Sequence, residues 1–308
     1  MPMESPPSLT VVVPIYNEAD SLEAFLAELL PACRQNGWKL ILVNDGSTDG
    51  SKAILDAHRH EPFIEVIHHK INRGYGGALK SGLARAATSH VVTIDGDGQH
   101  SVADIQTLFR FALDTDADLV VGNRGAWKSA NRYRELGKRL IRAFTRLLLP
   151  LPIYDLNSGF KLYRTELVQT YLPLCPNTMA FSDVIALIFI NQRNLVVEHP
   201  ITVRQRRGGK STITTYTAVD TLLEIINIAM LFNPIRIFLP LALVFISFGI
   251  IWGTPFFLMG RGVSVGSMLA IVTGLLSLFI GLIASQLSAI RMSLLHRSRQ
   301  ENGQPDGQ

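Results

Sequence analysis

Two apolar stretches, residues 235–259 and 263–290, constrain this chain more than any other feature. At ~1.5 Å per residue they make helices of roughly 37 and 42 Å, against about 30 Å for the hydrocarbon core of a bilayer. A buried core helix does not need a second such run in tandem, so two membrane-spanning helices are expected. Gly260-Arg261-Gly262 between them is a tight turn, which makes the pair an antiparallel hairpin. Arg236 stands at the entry and Arg291, His296, Arg297 and Arg299 at the exit, against a lone Arg261 at the turn. That bias places both termini in the cytosol. The hairpin also accounts for a mean hydropathy of +0.23, high for a wholly soluble protein.

The remaining composition excludes more than it asserts. A net charge of +4 without interleaved basic and aromatic residues gives no footprint for nucleic acid. Cys33 and Cys175 lie far apart without metal-ligand spacing, so reduced thiols facing the cytosol are expected. Residues 1–8 are polar and Pro-rich with no apolar h-region, so no cleavable signal peptide is expected.

The first half alternates strand, turn and helix. Residues 9–13 form a β-branched run closed by Pro14, and Asp20 or Ser21 is placed to cap a helix through Phe25, Leu26, Leu29 and Leu30. Strands at 40–43, 64–67, 91–94 and 119–121 follow, with helices from 52 to 58 and from the glycine-rich loop 72–78 to about residue 87. This pattern predicts an α/β fold, a mostly parallel sheet with helices on both faces. Ligands of such sheets sit at the carboxyl ends of the strands, where Glu18, Asp45, Asp95, Asp97 and Arg124 all fall. The glycine-rich loop lacks both the dinucleotide spacing and a Walker lysine.

Asp95-Gly96-Asp97 ends the fourth strand. Two carboxylates this close repel unless a cation lies between them, and a divalent metal carrying a diphosphate fits. An Asp-rich turn without a ligand is the plainer alternative.

The runs Val12-Val13-Pro14-Ile15-Tyr16-Asn17-Glu18, Val43-Asn44-Asp45-Gly46-Ser47-Thr48-Asp49, Asn72-Arg73-Gly74 and Asp95-Gly96-Asp97-Gly98-Gln99-His100 resemble, in order, the motifs of family 2 glycosyltransferases of the GT-A fold. Within that family the last run is similar to that of dolichyl- and polyprenyl-phosphate sugar synthases. The resemblance covers residues 9–213. It implies a Rossmann-like GT-A domain that transfers sugar from a nucleotide-diphosphate sugar to a polyprenyl phosphate. It implies that Pro14, Tyr16, Glu18, Asp45, Asn72, Asp95, Arg206 and Ser211 line the nucleotide-sugar site, with Asp45 on the base. Asp95, Asp97 and Gln99 would hold Mg²⁺ or Mn²⁺. Asp97, Asp183 and Arg206 are the implied catalytic residues; Arg124, Arg139 and Ser158 are those facing the acceptor phosphate.

Three features of the second half extend this reading. Arg132, Arg134, Lys138, Arg139, Arg142 and Arg146 interleave with leucines and isoleucine, a basic amphipathic helix over 132–152 suited to an anionic membrane surface. Arg204-Gln205-Arg206-Arg207-Gly208-Gly209-Lys210-Ser211 follows a strand over 196–203 and resembles the loop that closes on the diphosphate, although Thr212 stands where a lysine often follows. Asp183 is expected to orient the acceptor, since a phosphate with a second pKa of about 6 is already largely anionic. Residues 1–213 are thus expected as a cytosolic catalytic domain, 214–233 as an interfacial helix, 234–291 as two spans and 292–308 as a cytosolic tail. The partners are a nucleotide sugar, a polyprenyl phosphate and the inner membrane, with a homo-oligomer left open. The resemblance makes UDP-glucose the favoured donor, because bacterial relatives with a two-helix tail often serve glucosylation of surface polymers. A processive polysaccharide synthase competes, but neither its Gln-x-x-Arg-Trp motif nor its extra spans are present. A catalytically silent scaffold also competes; the intact Asp95, Asp97 and Arg206 argue against it.

Overall fold

The computed structural model describes residues 8–125, 153–204, 230 and 234–302, with side chains as far as residue 290. They fall into two compact units, one of 8–125 with 153–204 and one of 230 with 234–302. The basic helix over 132–152, with Arg139, lies outside the described residues. So do Arg206, Ser211 and all of the expected interfacial helix except Met230.

The first unit is built on one seven-stranded sheet. Its strands are β1 (Leu9–Ile15), β2 (Lys39–Asn44), β3 (Ile64–His68), β4 (His90–Thr93), β5 (Leu119–Asn123), β6 (Lys161–Arg164) and β7 (Val196–Pro200), in the order β3-β2-β1-β4-β6-β5-β7. All neighbours are parallel except β6, which runs antiparallel to both β4 and β5. Helices α1 (Ala19–Asn36), α2 (Ser51–Ala57), α3 (Tyr75–Arg85), α4 (Ala103–Thr115), α5 (Thr165–Tyr171) and α6 (Phe181–Asn191) complete the unit's described elements, together with a single 3₁₀ turn.

Burial explains the strands. Val11, Val12 and Val13 of β1 are wholly enclosed, so this stretch is apolar without alternation, as a parallel strand covered on both faces must be. Pro14 costs no ladder bond. Val12 O accepts from the Ile94 N–H, and Pro14, two residues on, faces the same flank beyond the end of β4. On one side Leu22, Phe25, Leu26 and Leu29 of α1 pack with Ile105 and Leu108 of α4. On the other, Gly82 lets α3 close on the sheet, where a Cβ would collide with Val12 and sit 3.1 Å from Val43.

The cap of α1 differs from expectation. Neither Asp20 nor Ser21 starts it; the helix begins at Ala19. Its amide N–H donates to Asp49 Oδ2 at 3.0 Å, and the Glu18 N–H donates to Ser51 Oγ at 3.1 Å. A loop some thirty residues downstream in sequence therefore takes up the Glu18 and Ala19 amides at the start of the helix.

The second unit is a helical hairpin of α7 (Ile235–Leu258) and α8 (Val265–Asn302). Residues 235–258 and 265–290 are long and apolar enough to cross a membrane. Glycines make the seam between them. A Cβ on Gly249 would lie 2.7 Å from Ile271 Cγ1 and 2.8 Å from Ser267 O, and one on Gly274 would lie 2.6 Å from Ile246 Cγ1. Close backbone approach through small residues replaces the hydrophobic drive that lipid removes. Gly274→Val is therefore expected to force the helices apart at a cost of about 1–3 kcal/mol. A fall in thermal midpoint of the detergent-solubilised chain reads this out; an unchanged midpoint would show that the seam repacks freely.

Candidate active site

The carboxyl ends of β1, β2 and β3 carry three loops that bond to one another. After β1, Asn17 takes a left-handed conformation (φ 54°) and its Oδ1 accepts from the Thr48 N–H at 2.8 Å, while its own N–H donates to Ser47 Oγ. Tyr16 is exposed and Glu18 lies at the start of α1. After β2, Asp45 is almost fully enclosed. Its Oδ1 accepts from the Arg73 N–H at 2.8 Å and meets His69 Nδ1 at 2.6 Å; His69 Nε2 in turn contacts Ser81 Oγ at 2.8 Å. Gly46 (φ 71°) follows, and a Cβ there would sit 2.7 Å from Asn72 N and Ile71 C. Asn72 closes its own turn by accepting from the Gly74 N–H. The glycine-rich loop answers to a different neighbour than the sheet. Cβ atoms on Gly74 and Gly76 would lie 2.5 Å from the carbonyl oxygens of Asn177 and Pro176, so glycine admits the segment that leads into α6.

Asp95 and Asp97 stand at the end of β4. Tyr75 OH donates to Asp95 Oδ1 at 2.9 Å. Burial raises the Asp95 carboxyl above the usual carboxylate range; Asp97 adds to the rise, while His100, Tyr75 and Arg124 oppose it. Asp97 is braced by Gln99, whose backbone N–H donates to Oδ1 at 3.0 Å and whose Nε2 donates to Oδ2 at 2.7 Å. His100 is buried beside Asp95, its Nε2 3.8 Å from Oδ2, and its Nδ1 has no hydrogen-bond partner among the described residues. Burial pushes the His100 imidazole below its ordinary value. Gly159 backs this pair, since a Cβ there would lie 2.6 Å from both Asp95 Oδ2 and Tyr75 OH.

Arg124, at the end of β5, is gripped by Asp155. Its Nε and Nη2 each donate to that carboxylate at 2.8 Å and its backbone N–H at 3.0 Å. These bonds raise the Arg124 guanidinium. Burial works to raise the Asp155 carboxyl, but the bonds from Arg124 overcome it and hold it below the ordinary range. The two-donor fork expected to meet an acceptor phosphate is thus occupied by Asp155. Nη1 is the part of Arg124 not spent on that carboxylate.

Ser158 departs from its expected place. Its hydroxyl is fully buried and donates to Phe160 O at 3.4 Å, so it is not offered to an acceptor phosphate. Asp183 sits in the first turn of α6, where its charge reaches Lys161.

Two residues of the site were not singled out from the sequence. Lys161 in β6 has no exposed surface, although lysine is almost never buried without partners. Arg204 donates its backbone N–H to Gln99 O at 2.7 Å and its Nη1 to Glu28 Oε2 at 2.8 Å, and Val203 bridges His100. The chain leading to Arg206 is therefore docked on the loop that carries Asp97, Gln99 and His100. A single basic residue flanking a basic run gave no signal of that tether.

The arrangement offers two hard oxygen donors backed by a neutral-leaning imidazole. Among the described residues no three His, Cys, Asp or Glu side chains group so as to hold a metal ion by themselves. Carboxylates completed by substrate phosphates suit Mg²⁺ or Mn²⁺ rather than a soft metal.

Comparison with known proteins gives the family and the fold. Residues 10–172 match Glycosyl transferase family 2, just over half of the chain, and residues 233–290 match the GtrB C-terminal hairpin. The chain belongs to glycosyltransferase family 2. It is 28% identical over 234 residues to an undecaprenyl-phosphate 4-deoxy-4-formamido-L-arabinose transferase of Pectobacterium carotovorum, covering 75% of this chain and 69% of that one. It is 29% identical over 215 residues to a polyprenol monophosphomannose synthase of Mycolicibacterium smegmatis, covering 66% and 80%. Its fold is similar to that of glucosyl-3-phosphoglycerate synthase from Mycobacterium tuberculosis, solved with Mn²⁺, UDP-glucose and phosphoglyceric acid. That match has a TM-score of 0.58 and 22% identity, and covers 73% of this chain and 80% of that one.

Proposed function

We propose that this chain is an inverting, metal-dependent glycosyltransferase that moves a sugar from a nucleotide-diphosphate sugar, with UDP-glucose favoured, to a polyprenyl phosphate at the inner membrane. The observation that carries it is the Asp95–Asp97 pair on the active edge of a family 2 sheet, in a chain that ends in an apolar hairpin. Both named sequence relatives act on polyprenyl phosphates, which supports the acceptor class.

Asp45 reads the nucleotide base, and Pro14, Tyr16, Glu18 and Asn72 shape the surrounding loops. Asp95 and Asp97 hold Mg²⁺ or Mn²⁺, and Gln99 both braces Asp97 through Nε2 and supplies its amide oxygen. A bound divalent cation stabilises charge on the departing diphosphate. Arg206 and Ser211, which follow Arg204 in the sequence, clamp that diphosphate. Arg124, with Arg139 of the basic run 132–146, receives the lipid phosphate, and Asp183 orients it. A phosphate oxygen attacks the anomeric carbon as the bond to the diphosphate breaks on the opposite face, so the configuration inverts.

Incubation of the purified chain with a polyprenyl phosphate and a panel of nucleotide sugars tests the reading. A single-sugar lipid supports it, a polymer points to a processive synthase and no product to a silent scaffold.

The proposed topology puts the catalytic unit and both termini in the cytosol. Arg261→Cys should label with an impermeant thiol reagent on whole cells, whereas cysteine at the exposed Lys52 should not. Ser51, beside it, is buried and would stay silent on either side. Labelling at Lys52 alone would invert the topology and remove access to cytosolic nucleotide sugars.

A further inference from the structure

Lys161 is a charged residue with no exposed surface, placed in the middle of the sheet opposite Thr93 of β4 and Val121 of β5. Its Nζ donates to Leu156 O at 2.9 Å and, by a short bond, to Ser158 O. These carbonyls belong to the turn between Asp155, which grips Arg124, and Gly159, which backs Asp95. The same turn is closed by the Ser158 N–H on Asp155 O at 3.3 Å. Burial pushes the ammonium down to about 8, while Asp183, Asp155 and Asp95, in that order, pull it up and Arg124 adds to the fall. A fold that needed only to fill this place would use an apolar side chain, because replacing a buried ion by a hydrophobic one is often neutral or stabilising. The cation is kept where three carboxylates and one guanidinium of the site converge.

We propose that Lys161 is a positioning residue for the acceptor half of the site: from beneath the sheet edge it ties down the 155–159 turn, and through Asp155 it sets the guanidinium of Arg124. It touches neither donor nor acceptor. The loops after β1, β2 and β3 are hydrogen-bonded to one another, whereas the Lys161 ammonium is bonded to the 155–159 turn, so a disturbance at Lys161 falls first on the turn that grips Arg124. The inference rests on the reading that Arg124 faces the acceptor phosphate.

The test uses the full chain in detergent, farnesyl phosphate as the acceptor probe and the nucleotide sugar selected by the donor panel. Lys161→Met removes both charge and hydrogen bonds; Lys161→Gln keeps a donor for the carbonyls and removes the charge. Both variants should raise the acceptor KM or lower kcat so that kcat/KM for farnesyl phosphate falls at least tenfold, with the glutamine variant the milder. Calorimetric affinity for the nucleotide sugar should stay within twofold of wild type. Acceptor kinetics within twofold of wild type in either folded variant would overturn the proposal, as would parallel loss of donor affinity. Failure of both variants to fold would show a purely structural lysine and overturn it too. Arg124→Ala separates this from the underlying reading. If Arg124→Ala raises the acceptor KM while the Lys161 variants do not, only the role of Lys161 falls. If Arg124→Ala leaves the acceptor KM unchanged, the acceptor assignment falls first. A wild-type chain that turns over no donor sinks both.

Discussion

Asp97→Asn lowers turnover by at least two orders of magnitude, about 2.7 kcal/mol of barrier, and leaves the fold intact. The expectation has two parts. Electrostatically, the change removes one of two adjacent negative charges that a divalent ion on a diphosphate needs, and the neighbour cannot make it good. Burial already raises the Asp95 carboxyl above the usual carboxylate range, so its charge too is favoured by a cation beside it. Structurally, little is lost. The substituted amide keeps an oxygen for the Gln99 N–H, and a turn of the Gln99 side-chain amide gives the new NH₂ group an acceptor, since amide groups can present either end. Steady-state kinetics of Asp97→Asn beside wild type, with and without chelator, measure the effect, and circular dichroism checks the fold. Full wild-type activity in chelator would refute the metal role given to Asp95, Asp97 and Gln99.

Arg124→Ala ranks second in expected effect. Its apparent KM for polyprenyl phosphate should rise more than tenfold, or kcat fall in proportion, while nucleotide-sugar affinity changes little. Arg124→Lys should not rescue it, because an ammonium is a single point of charge and cannot hold both oxygens of Asp155 while presenting another donor outward. Asp155→Asn should act in the same direction and more weakly, since it loosens the guanidinium without removing it. The charge of Asp95 also reaches Arg124, so a donor-side role is the alternative that the experiment must separate. Calorimetry with nucleotide sugar beside lipid-dependent kinetics does so. Collapse of the donor affinity with an unchanged lipid KM would move Arg124 to the donor site.

Much of this protein was legible along the chain. The β-branched runs of β1, β2, β3, β4 and β5 and the polar clusters that end them are local signals. A strand buried on both faces must be apolar throughout, and the turn after it must supply polar groups for its own backbone. The hairpin was equally plain, because residues 235–258 and 265–290 are long and apolar enough to cross a membrane. What stayed hidden depends on groups far apart in sequence. β6 is four residues long, two of them basic, and gives no apolar run; only its insertion between β4 and β5 makes it a strand and buries Lys161. The bond of Arg124 to Asp155 crosses thirty-one positions, and that of Arg204 to Glu28 crosses one hundred and seventy-six. The cap of α1 likewise comes from Asp49 and Ser51 rather than from its own first turn. The sequence by itself determined which segments are strands, β6 apart, which are apolar enough to span a membrane and at which edge the polar clusters gather, because periodicity is a property of a few neighbouring residues. Only the tertiary structure decided which side chains of that edge are spent on one another and which remain for substrate, because a charged group buried by a distant segment takes its partner from whatever that segment brings.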